Sequence, residues 1–143
     1  MPESGTSAPT PDLRTDVLVA HSLGCLAVAQ WAVRADGASK RVAGAFLVAP
    51  PDPAGPGFPG AASAFAAEFA TLPIHALVLA SSDDPYCTPH RAAAIATAWG
   101  APFLELGARG HVNVESGFGE WPEGLQLLED FVVTARAEAR RAG

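Results

Sequence analysis

The sequence predicts an α/β fold, with helices covering a mainly parallel sheet of about four strands. Three observations predict it. Short, mostly apolar runs recur at Asp16–Ala20, Val42–Ala49, His75–Ala80 and Phe103–Leu106. Their apolar residues run consecutively rather than alternating, the pattern of strands buried on both faces of a parallel sheet. The chain between them reads as helix and long connection, not as two-residue hairpin turns.

Each element follows from its residues. Residues 1–15 are rich in Pro, Ser and Thr and lack a hydrophobic period, so they read as a disordered leader to a single domain at 16–143. Gly24–Arg34 is apolar almost all round and suits a helix packed in the centre of the domain. Pro50–Pro73 holds Pro, Gly, Ala and Phe, with only a weak helical pattern at Ser63–Leu72. Its length fits either a lid or binding loop, or a plain surface excursion. Thr88-Pro89 opens a helix that reaches Trp99, with Thr as N-cap and Pro in the first helical position. The last helix begins near Pro122, capped and stapled by Trp121-Pro122, and runs to about Arg140. Leu125, Leu128, Val132, Ala135 and Ala139 repeat at alternating steps of 3 and 4 and make one apolar face.

Composition narrows the function classes. Of 143 residues, 49% are hydrophobic and 17% charged, enough to bury one core. The formal net charge of −6 argues against nucleic acid or an anionic membrane as partner. No apolar run approaches the roughly 20 residues that a membrane span needs. Cys25 and Cys87 cannot form a metal cage alone, and no signal peptide precedes them. The expectation is a cytoplasmic protein with free thiols that needs no metal or organic cofactor.

The sharpest local signal is Ala20-His21-Ser22-Leu23-Gly24, set between a strand and a buried helix. That is the context of a nucleophile elbow, in which a tight turn holds a serine exposed at the helix start. Small residues two before and two after the serine let the backbones approach, and Ala20 stands where Gly is commoner. The competing reading makes Ser22 only an N-cap. A serine hydroxyl needs a base. His21 adjoins the serine, where its side chain is expected to point elsewhere. His75 begins a strand, and His90 lies in a helix's first turn, where the dipole disfavours its charged form. His111 follows Gly110 beyond the fourth run, on the C-terminal side of the sheet where such groups gather, and is the preferred base. The orienting acid is Asp83 or Asp84, after the third run, and spacing does not separate them. Either acid could instead form an Asx-turn or help cap the next helix. The order Ser, Asp, His is that of the α/β-hydrolases.

Around these residues a resemblance becomes specific. Leu18–Cys25, Ser82–Cys87 and Gly110–Pro122 resemble the RBBP9/YdeN family of small serine hydrolases, over about residues 16 to 133. The resemblance implies a three-layer α/β-hydrolase core and a triad of Ser22, Asp84 and His111, choosing Asp84 because it directly precedes proline. It further implies that the Leu23 N–H supplies one oxyanion donor and an N-terminal Gly-rich loop the other. Family members carry that loop and a first strand before the elbow, whereas fifteen residues precede Asp16 here. The expectation is therefore an N-terminally truncated core, with a site short of one donor unless Pro50–Pro73 supplies a substitute. Losing one donor costs about a hundred- to a thousandfold in rate.

The expected activity is hydrolysis of a small carboxylic ester, thioester or amide through an acyl-enzyme, the partner being a small-molecule acyl substrate. The alternative is a catalytically impaired binding or interaction module on the same scaffold. Strand 16–20, with an open edge, would favour self-association. Cys25 beside the elbow reads as a small buried apolar residue rather than a thiolate, and Cys87 as structural or partly exposed. Asn113 and Ser116 would fix the His111 loop. Phe58, Phe65 and Phe69 would either line an acyl pocket or belong to the core.

Overall fold

The computed structural model describes residues 14–34, 41–56, 58–60, 69–113, 117 and 119–142. Most of the expected leader, and residues 63–68 of the weak helical pattern, lie outside them. Arg14 and Thr15 are described and are tied to the last helix: Arg14 donates to the Ala139 carbonyl at 2.9 Å, and Arg136 donates to the Thr15 carbonyl at 2.8 Å.

The elements are β1 (Asp16–His21), α1 (Leu23–Arg34), β2 (Val42–Val48), β3 (His75–Ala80), α2 (Pro89–Trp99), β4 (Phe103–Glu105) and α3 (Pro122–Ala142). The strands form one sheet in the order β1-β2-β3-β4, and every neighbouring pair is parallel. All seven residues of β2 are buried, as continuous apolar runs predict for the middle of a covered sheet. Helix α2 starts as its sequence requires, with the Thr88 side chain accepting from the Arg91 amide at 3.1 Å.

Side chains divide between the two faces of the sheet. Ala45, Leu47, Ala76, Val78 and Ala80 pack with Leu26, Ala29, Ile95 and Trp99 of α1 and α2. Phe46, Val48 and Leu79 pack on the other face with Phe131, Ala135 and Ala139 of α3. Three layers result. The alternation breaks once. Asp16 pairs with Val42 but Val17 pairs with Gly44, so Ala43 is an extra residue and joins the α3 side. At Gly44 a Cβ would lie 2.9 Å from the Phe131 ring and 3.0 Å from the Ala135 Cβ. Glycine is what lets α3 cross this close to the sheet.

One detail of α3 corrects the sequence reading. Leu125 is 59% exposed and does not share the apolar face. The face centres on Phe131, against Gly44, and six residues back at about 100° per residue places Leu125 roughly 120° away. Leu127 and Leu128 pack there in its stead.

Candidate active site

In an open parallel sheet the strand C-termini all end on one edge, so loops leaving them converge. Ser22 directly follows β1, Asp84 lies in the loop after β3, and His111 in the loop after β4. The turn at Ser22 is forced by its neighbours. Its N–H continues the β1–β2 ladder to the Val48 carbonyl at 2.9 Å, while its own carbonyl already accepts from Cys25 at 2.9 Å in the first turn of α1. Satisfying strand and helix at once puts Ser22 in the left-handed region at φ 59. Such a conformation in a non-glycine residue costs on the order of 1–3 kcal/mol and persists only when its surroundings over-determine it.

The three side chains meet in a line. His111 Nε2 lies 2.8 Å from Ser22 Oγ, and His111 Nδ1 lies 2.8 Å from Asp84 Oδ2. A carboxylate only accepts, so Nδ1 carries the proton and Nε2 is left to accept from the serine hydroxyl. The Asp84 side chain is 1% exposed, and its other oxygen accepts from the Tyr86 N–H at 2.8 Å. That Asx-type turn before Pro85 fixes which oxygen faces the imidazole. The His111 ring also sits between two others, 4.8 Å from the His21 ring and 4.6 Å from the Tyr86 ring.

Asp83, the rival in the sequence, does a different job. Its Oδ1 accepts from the Ser81 hydroxyl at 2.7 Å and from the Gly110 N–H at 2.7 Å. The fully buried Ser81 oxygen in turn accepts from the Arg109 N–H at 2.9 Å. Asp84 thus holds the ring of His111, while Asp83 and Ser81 hold the backbone just before it. The Ser81 hydroxyl, followed by the Gly110 amide, draws the Asp83 carboxyl below its ordinary titration range.

The remaining candidates separate cleanly. His75 stacks on Phe131 at 5.8 Å, at the opposite end of the sheet, and His90 is exposed in the first turn of α2. Cys25 is buried, with Sγ 3.3 Å from the Val48 carbonyl, and burial pushes its thiol well above the ordinary range. Burial also pushes Cys87 up, to about 12. Both fit the reading of inert thiols. His21 turns to the loop of His111 rather than to the serine hydroxyl: its Nε2 lies 2.7 Å from the His111 carbonyl oxygen. No local pattern signals this contact, because its partner is 90 residues away.

A cavity of about 260 Å³ opens beside Ser22. Leu23, Pro51, Phe58, Pro59 and Tyr86 give it an apolar lining, and Asp52 and Asn113 add polar edges. The Asp52 carboxylate is matched by Arg91 Nε at 3.1 Å, so the rim carries an ion pair rather than a bare charge. Phe69 packs on Trp99 at 5.8 Å as a core residue, and Phe65 and Ser116 lie outside the described residues. Four described residues of the Pro50–Pro73 connection line the cavity, and none has an uncommitted N–H. Pro51 and Pro59 have none, Asp52 donates to the Tyr86 carbonyl at 2.8 Å, and Phe58 donates to Gly55 at 3.2 Å. Among the described residues no group of three or more His, Cys, Asp or Glu side chains is arranged to hold a metal, and no helix is long and apolar enough to cross a membrane.

Comparison with known proteins adds the lineage. The profile of the serine hydrolase family matches residues 8–130. The solved structure of a protein described as a YdeN-like hydrolase from Pectobacterium atrosepticum is 30% identical, with a TM-score of 0.70 over 83% of this chain and 60% of that one. The present chain therefore spans about 60% of that relative's length. The carboxylesterase of Bacillus cereus shares the fold at 17% identity, with a TM-score of 0.54 over 85% of this chain and 51% of that one. No curated protein matches the chain. A family profile covering most of the sequence, and a parallel sheet with an elbow serine at its C-terminal edge, lead to one conclusion: the chain belongs to the serine hydrolase family typified by RBBP9 and YdeN, on an α/β-hydrolase core.

Proposed function

We propose that the protein is a serine hydrolase that cleaves a small, neutral carboxylic ester, thioester or amide through an acyl-enzyme. The observation that carries this reading is the unbroken chain Ser22 Oγ, His111 Nε2, His111 Nδ1, Asp84 Oδ2, with both links at 2.8 Å. His111 takes the proton as Ser22 Oγ bonds to the acyl carbon, then returns it to the leaving group as the bond to that group breaks. Water enters by the same route in reverse and releases the acid. Asp84 holds the required tautomer and stabilises the imidazolium that forms. Leu23, the first residue of α1, offers its N–H at a helix N-terminus, where developing negative charge is favoured.

The cavity supports the substrate class. Its volume of about 260 Å³ beside Ser22 suits a small acyl group. Its apolar lining and already paired Asp52 suit an uncharged acyl group. A fluorophosphonate probe tests the nucleophile: Ser22 is labelled in the folded chain, and Ser22→Ala is not. Folded protein that stays unlabelled would overturn the proposal.

The second reading, an impaired hydrolase acting as a binding module, is favoured by one observation. Among the described residues of the connection that line the cavity, none has a spare N–H to serve as a second oxyanion donor. The two readings part on turnover. Labelling of Ser22 together with steady hydrolysis of short p-nitrophenyl esters supports the enzyme. Labelling without turnover supports the binding module.

A further inference from the structure

We infer that His21 is a positioning residue for the proposed base, holding the peptide group between His111 and Val112 in a conformation it would not otherwise keep. The inference rests on the reading of His111 as the base of Ser22.

The His111 loop is locally unfavourable. Gly110 has φ 59 and Val112 has φ 54, so the base lies between two left-handed residues. Glycine tolerates this region, but a β-branched valine there is a genuine outlier. Rotation of the single peptide group between His111 and Val112 would relieve the valine, and that rotation changes ψ of His111 and φ of Val112 together. Such a turn leaves the His111 side chain nearly in place but breaks the tie between its loop and the strand that ends at His21. The fold pins both ends of this group. Its N–H, on Val112, donates to the Arg109 carbonyl at 3.1 Å. Its C=O, on His111, lies 2.7 Å from His21 Nε2. A carbonyl oxygen only accepts, so His21 Nε2 carries the hydrogen.

The position of His21 makes this anchor useful. It ends β1 and directly precedes Ser22, so the base's backbone is tied to the nucleophile's own turn rather than to a distant loop. Motion of the loop relative to the sheet is thereby coupled to the element that carries Ser22 Oγ. Asp83 secures the same loop one residue earlier, at the Gly110 N–H, and Arg109 holds the Val112 N–H from within the loop, but neither ties the His111 carbonyl to the strand that leads into Ser22. His21 supplies that restraint.

The test compares His21→Phe, which keeps a ring beside His111 but cannot donate, with His21→Gln, which restores an N–H donor. His21→Phe is expected to lower the fluorophosphonate labelling rate of Ser22 and kcat on short esters about ten- to a hundredfold, with KM little changed. His21→Gln is expected to recover most of the loss. In the unliganded full chain, the far-downfield proton of the His111–Asp84 hydrogen bond should broaden or vanish in His21→Phe and persist in His21→Gln. This resonance is read without any turnover, and it stands even if wild-type Ser22 proves unlabelled and the nucleophile reading fails. Should His21→Phe not fold, as judged by far-UV circular dichroism, His21→Gln and His21→Asn decide by whether the resonance follows the donor. A His21→Phe protein with an unchanged resonance and labelling within twofold of wild type would overturn the inference.

Discussion

Replacing Asp84 by asparagine changes one atom and should reverse the proton chain. Asp84 Oδ1 is committed as acceptor to the Tyr86 N–H at 2.8 Å. In Asp84→Asn the amide oxygen must take that position, because an NH2 group there would face another donor inside a buried site, at a cost of about 1–3 kcal/mol. The NH2 group then faces His111 Nδ1, which must give up its hydrogen and accept. Nε2 becomes protonated and donates toward Ser22 Oγ, the wrong tautomer for a base. Where the acid of a Ser-His-Asp triad is exchanged in this way, the rate falls about 10⁴-fold, equivalent to about 5.5 kcal/mol of barrier. The assay is the pseudo-first-order rate of fluorophosphonate labelling at Ser22, with hydrolysis of p-nitrophenyl acetate as a second readout. Circular dichroism confirms that the variant folds. Asp83→Asn serves as the comparison and should fall far less, since Asp83 touches the loop backbone and not the ring. An Asp84→Asn protein labelled within tenfold of wild type would refute the tautomer argument.

Other outcomes follow from the same contacts. Ser81→Ala leaves the Arg109 and Asp83 N–H groups without their shared acceptor and should cost about 1–3 kcal/mol in urea denaturation. The Asp83 carboxyl is held below its ordinary value of 3.8, so its contribution is present above that pH and is lost as pH falls through the lower folded value. Asp83→Asn should accordingly flatten the acid limb of the stability profile below pH 3.8. Cys25 and Cys87 should resist iodoacetamide at pH 8 in the folded chain and react in urea, because burial raises both thiols; rapid labelling of folded protein would contradict this. Among the described residues β1 pairs only with β2, and its Val19 is 58% exposed. We propose that copies of the chain associate through this strand, so light scattering should show oligomers that Val19→Lys reduces.

Much of this architecture was legible in the sequence because burial writes itself into short apolar runs. Val42–Ala49 reads as a covered strand without knowledge of its neighbours, and Thr88-Pro89 marks a helix start by local chemistry alone. The elbow was equally local, since strand, small residues and serine fall within five positions. Asp83 and Asp84 were different. Both are carboxylates at the same strand end, and what separates them is whether each meets the backbone or the ring of residues 27 positions away. Spacing holds no information about that, and the choice of Asp84 came from family resemblance. His21 was missed for a related reason. Adjacency to Ser22 argues about direction along the strand, yet its partner is a carbonyl brought in by a loop from the far edge of the sheet. Leu125 shows the limit of periodicity: spacing defines a stripe, but the close crossing at Gly44 decides which part of the stripe is buried.

The central claim is that Ser22 forms a covalent acyl intermediate. It is tested most directly by acid-quenching the chain during reaction with p-nitrophenyl acetate and mapping the acetyl group by peptide mass spectrometry. One acetyl ester on Ser22, formed with the burst of p-nitrophenol and absent from His111→Ala, is the expected result. Acetyl groups found only on other residues, or a burst without any adduct on Ser22, would contradict it.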